Sequence, residues 1–221
     1  VGMSWVSLPG NGGEFATTTR PGSTSVAANG ETLKGVASRD LRRLLRPMGH
    51  CTERDKGTVM DTIYPSLRDR GVLITGGATG IGASLVEHFA KAGARVAFCD
   101  IDVSNGAKLS SSLAGAAHRP VFVPFDLTAA DEIPQMVAAA RQRCGPISVL
   151  LNNAANDMRH SIADTTPASW DAGVAVNLKH QFFCAQAVID DMKQLGGGSI
   201  VNFGSVSWML KQGGMPVYTT S

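Results

Sequence analysis

Three groups of residues in this 221-residue sequence could do chemistry, and they follow one another in order. The first is a glycine turn, Thr75-Gly76-Gly77-Ala78-Thr79-Gly80-Ile81-Gly82. Glycine has no Cβ, so such a turn can be tight and lets a phosphate approach the backbone. Leu85, Val86, Phe89 and Ala90 then recur at helical spacing up to Gly93. The turn therefore precedes a helix N-terminus, whose unpaired N–H groups and dipole suit an anion such as a pyrophosphate. A purely structural glycine turn is the alternative. The second is Asp100, 24 residues after Gly76. A carboxylate there accepts hydrogen bonds from ribose hydroxyls and repels a 2′-phosphate, favouring NAD over NADP; a solvent-facing strand-end acid is the alternative. The third comprises Asn152-Asn153-Ala154-Ala155, Asn177, and Ser205 with Tyr218 thirteen residues later. Amides at the carboxyl end of a central strand sit where ligands bind in open α/β sheets, or else merely cap. A tyrosine works as acid or base once a nearby cation favours its phenolate, since its ordinary pKa is about 10. Ser205 could hold a substrate oxygen near Tyr218, and the Asn177 amide could orient a water or a backbone group.

Elements that could position these groups alternate from Gly71 onward. Val72-Leu73-Ile74 is an apolar run of the kind found in a strand covered on both faces. After the helix that ends near Gly93, strands are expected at Arg95–Asp100, Val121–Asp126, Ile147–Asn153 and Ser199–Phe203. Helices are expected at Ser104–Leu113 with Ser104 as cap, at Ala129–Arg143 with Pro134 in its first turn or kinking it, at Ser169–Val176, and at Leu178–Leu195 with Asn177 at its start. Strand and helix alternating at these lengths mean an α/β fold: a Rossmann-type, doubly wound parallel sheet in one domain, with right-handed crossovers.

Residues 1–59 are rich in Gly, Ser, Thr and Pro and carry no sustained period, so they are expected to form a disordered N-terminal extension; the domain is read as 60–221, with Met60 as its start. No secretion-type apolar core is present, and Glu14, Glu31 and Asp40 oppose a mitochondrial leader. Residues 1–70 carry a net charge of +3 and residues 71–221 a net −1. The expected domain thus lacks a nucleic-acid footprint, and the Arg39, Arg42, Arg43, Arg46 cluster reads as a solvated face or disordered tail, with a nucleic-acid patch as the alternative. No apolar run approaches the roughly 20 residues of a membrane span. Cys51, Cys99, Cys144 and Cys184 show no metal-binding spacing, and free buried thiols fit a reducing cytoplasm. No nucleic-acid, membrane or metal partner is expected.

Taken together, these residues resemble the short-chain dehydrogenase/reductase family over 71–221. The pattern TGxxxGIG is met by Thr75 to Gly82, with Thr75, Gly76, Thr79, Gly80, Ile81 and Gly82 implied as cofactor contacts. The family's NNAG is met by Asn152, Asn153 and Ala154, with Ala155 in place of glycine. Its catalytic Asn, Ser and Tyr match Asn177, Ser205 and Tyr218. The resemblance further implies cofactor contacts from Asp100, Asp126, Asn153, Ala154 and Tyr218, and NAD as the cofactor. A closer likeness is to the bacterial sugar dehydrogenases, D-xylose 1-dehydrogenases among them. It rests on Tyr64-Pro65-Ser66-Leu67, Asn156-Asp157 with Arg159-His160, Trp170-Asp171, and Asn202-Phe203-Gly204-Ser205 with Trp208. It implies a sugar or sugar-acid substrate read by Asn156, Asp157, His160, Ser205, Trp208 and Tyr218, although His160 can equally be a structural loop histidine.

The family's lysine falls four residues after the tyrosine, at a position beyond Ser221. On the resemblance, the chain is expected to lack that cation and the last strands, to have little activity by itself, and to form a homodimer or homotetramer when complete. An NADPH-dependent 3-oxoacyl or carbonyl reductase and a non-catalytic nucleotide-binding protein are the alternatives.

Overall fold

The computed structural model describes residues 2–8, 16–17 and 64–221. Strand β1 (Gly2–Leu8) and β2 (Ala16–Thr17) come first. From β3 (Gly71–Thr75) the chain alternates through helix α1 (Gly80–Lys91), β4 (Arg95–Asp100), α2 (Val103–Ser112), β5 (Val121–Pro124), α3 (Ile133–Cys144) and β6 (Ile147–Asn152). Helix α4 (Pro167–Val174), a π turn at Ala175–Lys179 and α5 (His180–Gln194) form one continuous run, followed by β7 (Gly198–Gly204) and the short α6 (Pro216–Thr220).

Five parallel strands lie in the order β7-β6-β3-β4-β5, with β1 antiparallel on the outer edge of β7 and β2 beyond it. Side chains alternate across the sheet, as a period of two demands. Val72, Ile74, Val96 and Phe98 face α1 through Val86 and Ala90. Leu73, Ala97, Cys99, Ile147 and Leu150 face α3 and α5 through Ile133, Val137, Cys184 and Val188. Each large apolar side chain fully withdrawn from water on these faces contributes about 2 kcal/mol. The chain order runs outward from β3 to β5 and then returns to β6 on the other side of β3. Between β3 and β6 the connections leave in opposite directions, and the carboxyl ends of these two strands open into a crevice.

The doubly wound parallel sheet is the expected one; several boundaries differ. Asp102, not Ser104, caps α2: its Oδ1 accepts the Asn105 N–H at 3.0 Å, and its Oδ2 accepts from the Asn105 side chain at 2.7 Å. These N–H groups hold the Asp102 carboxyl below its usual range. Strand β5 ends at Pro124, so Asp126 lies outside it, in a turn where its Oδ1 accepts the Thr128 N–H at 2.9 Å and the Thr128 hydroxyl at 2.8 Å. Strand β6 ends at Asn152 rather than Asn153. Asn177 does not start a helix. It sits inside the π turn that joins α4 to α5, and α4 begins earlier than expected because Thr166 and Ser169 form a capping box. Pro134 does lie in the first turn of α3. Gly2–Leu8 and Ala16–Thr17 belong to the segment expected to be a disordered extension, yet they form strands, Gly2–Leu8 pairing along the whole of β7; the rest of 1–59, with the arginine cluster and Cys51, lies outside the described residues. Among the described residues, no helix is long and apolar enough to cross a membrane. Cys99, Cys144 and Cys184 are free and buried, and burial pushes the Cys184 thiol up to about 12.

Candidate active site

The crevice between β3 and β6 is a cleft of about 810 Å³. Its floor is the glycine turn, and the packing there accounts for the glycines. Gly76 has φ +65°, and a Cβ on it would lie 2.7 Å from the Ala154 Cα. A Cβ on Gly82 would lie 1.8 Å from the Gly76 carbonyl oxygen. Gly80, at φ +57°, has nothing within 4 Å on that side, so only its backbone conformation, and not crowding, calls for glycine there. Thr79 gives α1 no side-chain cap, and the first turn holds no acidic residue. Its leading N–H groups are therefore left for an external anion. This cradle fits a pyrophosphate.

Asp100 closes one wall. Its Oδ2 accepts the Ala78 N–H at 2.9 Å and its Oδ1 the Asp102 N–H at 3.0 Å. The carboxylate is thus fixed against the turn on the lining of the cleft, which Thr79, Ile81, Asp126 and Ala154 share. On the opposite side, Asn153 locks the two strand ends together. Its Nδ2 donates to the carbonyls of Thr75 at 3.1 Å and Gly76 at 3.0 Å, while the Thr75 hydroxyl accepts the Asn153 N–H at 3.0 Å and the Ala154 N–H at 3.1 Å. Asn152 points the other way: its Nδ2 donates to Asn202 Oδ1 at 2.8 Å and to the Gln181 carbonyl at 3.2 Å.

The π turn carries Asn177 against the loop that follows β6. The Asn156 N–H donates to Asn177 Oδ1 at 2.7 Å, and the Asn177 Nδ2 donates back to the Asn156 carbonyl at 3.1 Å. Both ends of the buried amide are used on backbone. The Asn177 carbonyl accepts the Gln181 side-chain amide at 2.8 Å.

A second cavity of about 400 Å³ adjoins the cleft, lined by Ser205, Ser207, Trp208 and Tyr218 among others. Ser205 is held by Ser207: the two hydroxyl oxygens are 2.7 Å apart, and Ser205 Oγ accepts the Ser207 N–H at 3.2 Å. Ala155, Asn177 and Tyr218 line both cavities, so Tyr218 stands at their junction.

Of the expected substrate residues, Asn156 and His160 line the large cleft and Trp208 lines the smaller cavity, whereas Asp157 lines neither of the two. His160 also ties two loops together. Its N–H donates to the Gly214 carbonyl at 2.9 Å, and its Nδ1 is 2.9 Å from the Met158 carbonyl. A carbonyl only accepts, so Nδ1 holds the proton. Several lining residues escape sequence reasoning: Asp164, Ser169, Gly173, Gln181 and Ser207. The Thr166-Pro167-Ala168-Ser169 run is a legible capping signal for Ser169; the others carry no local signal and are brought in by the loops and the π turn. Among the described residues, no cluster of His, Cys, Asp or Glu could hold a metal ion.

Residues 70–221 match the family model described as short chain dehydrogenase. The chain belongs to the short-chain dehydrogenase family. Within it, the chain is 45% identical over 159 residues to the D-xylose 1-dehydrogenase of Caulobacter vibrioides (strain NA1000 / CB15N), covering 72% of this chain and 62% of that enzyme. It therefore spans less than two thirds of that short-chain dehydrogenase. Among solved structures, NADH-dependent reductase A1-R′ complexed with NAD superposes with a TM-score of 0.64 at 27% identity, covering 71% of this chain and 68% of the other. A blue fluorescent protein from a metagenomic library, in complex with NADPH, gives 0.63 at 25% identity, covering 70% and 63%.

Proposed function

We propose that this protein is an NAD-linked oxidoreductase acting on a hydroxyl-bearing carbon of a sugar or sugar acid. The observation that carries the reading is Tyr218 at the junction of the two cavities, between the glycine cradle and Ser205. Accepting a hydride is the chemistry that a bound nicotinamide supplies. The chain's own residues do the rest. Gly76, Thr79, Gly80, Ile81 and Gly82 hold the pyrophosphate end, Thr75 lies buried beneath them and supports the turn through the Asn153 and Ala154 amides rather than touching the cofactor, and Asp126, Asn153 and Ala154 line the path from it. Asp100 receives the ribose hydroxyls, and its fixed negative charge opposes a 2′-phosphate, which supports NAD over NADP. Ser205 donates to the substrate oxygen, its own position set by Ser207. Tyr218, acting as the phenolate, takes the hydroxyl proton at its oxygen as the hydride leaves the carbon that bears that hydroxyl. Asn177 keeps the Asn156 loop in place. Asn156, His160 and Trp208 read the remaining hydroxyls and the ring face, while Asp157, which lines neither cavity, takes no part. The likeness to a D-xylose 1-dehydrogenase supports a sugar substrate. Leu178 and Phe182, exposed along the π turn and α5, support a homodimer or homotetramer assembled through this helix.

The test is a panel of pentoses, hexoses, their sugar acids and 3-oxoacyl thioesters, assayed on the full-length gene product with NAD(H) and NADP(H). NADH production from an aldose or sugar acid, with NAD preferred, is the expected result. NADPH-dependent reduction of the thioester alone would move the assignment to the carbonyl reductases, and dinucleotide binding with no turnover of any substrate would make it a non-catalytic binding protein.

A further inference from the structure

His180 is the one histidine of the described residues with no exposed surface, and it lies against the residue on which the floor of the cleft hangs. Thr75 is equally buried. Its hydroxyl oxygen is surrounded by three polar groups: the Asn153 N–H at 3.0 Å, the Ala154 N–H at 3.1 Å and the His180 Nε2 at 3.4 Å.

A threonine hydroxyl has two lone pairs and one proton. The two backbone amides are donors and occupy both lone pairs. The hydroxyl proton then needs an acceptor, and the remaining neighbour is Nε2 of His180. An Nε2–H ring would bring three donors onto one oxygen and leave the hydroxyl proton without an acceptor, a costly arrangement in a site closed to water. The ring proton therefore belongs on Nδ1. That nitrogen makes no hydrogen bond among the described residues, so the tautomer is set from the Thr75 side.

We infer that His180 is a positioning residue for the dinucleotide cleft: as the neutral Nδ1–H tautomer it accepts the Thr75 hydroxyl proton and so keeps both Thr75 lone pairs on the Asn153 and Ala154 amides. Without that acceptor the hydroxyl turns, one of the two amides loses its partner, and the loop carrying Asn153, Ala154 and Asn156 shifts against the glycine turn. The link to cofactor binding rests on the reading of the cleft as a dinucleotide site; the tautomer does not.

Long-range proton–nitrogen correlation spectra of histidine-labelled protein at pH 7, with the His180 signals assigned from H180Q, test the tautomer directly. A neutral ring protonated at Nδ1 is expected; a proton on Nε2, or a charged ring, overturns the inference. Amide exchange in H180L is expected to quicken at Asn153 and Ala154 but not at Ile147, and uniform quickening would mean a merely structural loss. In NADH titrations, H180L is expected to weaken binding about fivefold to tenfold, the worth of one buried hydrogen bond. H180Q, whose amide oxygen can accept, should restore affinity to within about threefold, and H180L should cost nothing further in a T75V background. Equal losses in H180L and H180Q, or additive losses with T75V, refute the role. A full-length protein that binds no dinucleotide would sink the cofactor reading, and the tautomer and the exchange at Asn153 and Ala154 would still decide the part played by His180.

Discussion

Asp100 uses both carboxylate oxygens on backbone amides, Ala78 on one side and Asp102 on the other. Its charge is thereby fixed in direction as well as in place, which a solvent-facing acid would not achieve. Replacing it by serine removes the negative charge and one grip on the glycine turn. In D100S the preference for NAD over NADP, measured as a ratio of kcat/KM values, should fall about tenfold to a hundredfold, the worth of a hydrogen bond to a charged group. An unchanged ratio would show that the carboxylate does not face the ribose. Tyr218 gives the complementary case. Its phenol oxygen makes no hydrogen bond among the described residues, so the Y218F change removes nothing that holds the fold. Turnover should drop by about a hundredfold to ten-thousandfold, the range for a lost acid–base group, while the NADH dissociation constant stays within about threefold. A parallel loss of binding would place Tyr218 in the cradle rather than at the reacting hydroxyl.

At the scale of elements, α3, α5 and β6 are joined by one side chain. Asp191 of α5 accepts from Arg141 Nε of α3 at 2.8 Å and from the Ile147 N–H that opens β6 at 2.9 Å. The carboxylate is buried, whereas the Arg141 side chain stays 37% exposed and can be rehydrated. The D191A variant therefore mainly orphans the Ile147 amide, and should lose about 2 kcal/mol, read from urea midpoints at constant m-value. Strand β3 was fully legible in sequence, because Val72, Leu73 and Ile74 are apolar on both faces, as a central parallel strand requires. The glycine turn and Asp100 were legible for the same reason: their spacing is local. The α2 cap was misplaced because Asp102 and Ser104 are both good capping residues, and only the Asn105 contacts decide between them. The π turn left no signal, since four of its five residues are ordinary helix or strand formers and a single Asn does not mark a π turn. The Asp191 clip, the Thr75–His180 contact and the Ser205–Ser207 pair depend on partners brought together by the fold, or on rotamers that spacing does not encode.

For the molecule as a whole, a pH-sensitive cost among the described residues lies in the core. Burial pushes the His180 imidazole down to about 4 from an ordinary value of 6.5. Above pH 6.5 the ring is neutral in both folded and unfolded chains and adds no pH dependence. Between 6.5 and about 4 the unfolded chain binds a proton that the folded chain refuses, so stability falls as the pH drops through this window. The loss amounts to about 3 kcal/mol in all and does not grow below the folded value. Denaturant unfolding at pH 7 and pH 4.5 should show this decline in the unmodified protein and a shallower one in H180Q, whose side chain does not titrate. Equal declines would assign the acid sensitivity to carboxylates elsewhere.

The π turn at Ala175–Lys179 also sets how this part of the chain tolerates changes in length. Each residue of a helix advances the chain by about 100° around its axis. The wide turn holds one residue more than a regular one, so α4 and α5 run on a common line but out of phase. That offset lets His180, Cys184 and Val188 face the sheet while Ser169, Ala172 and Gly173 face the cleft, with Gly173 so close to Val217 that a Cβ would meet it at 2.4 Å. Deleting a single residue between 175 and 179 would restore a regular helix and swing α4 by about 100°, turning its cleft-facing residues toward solvent.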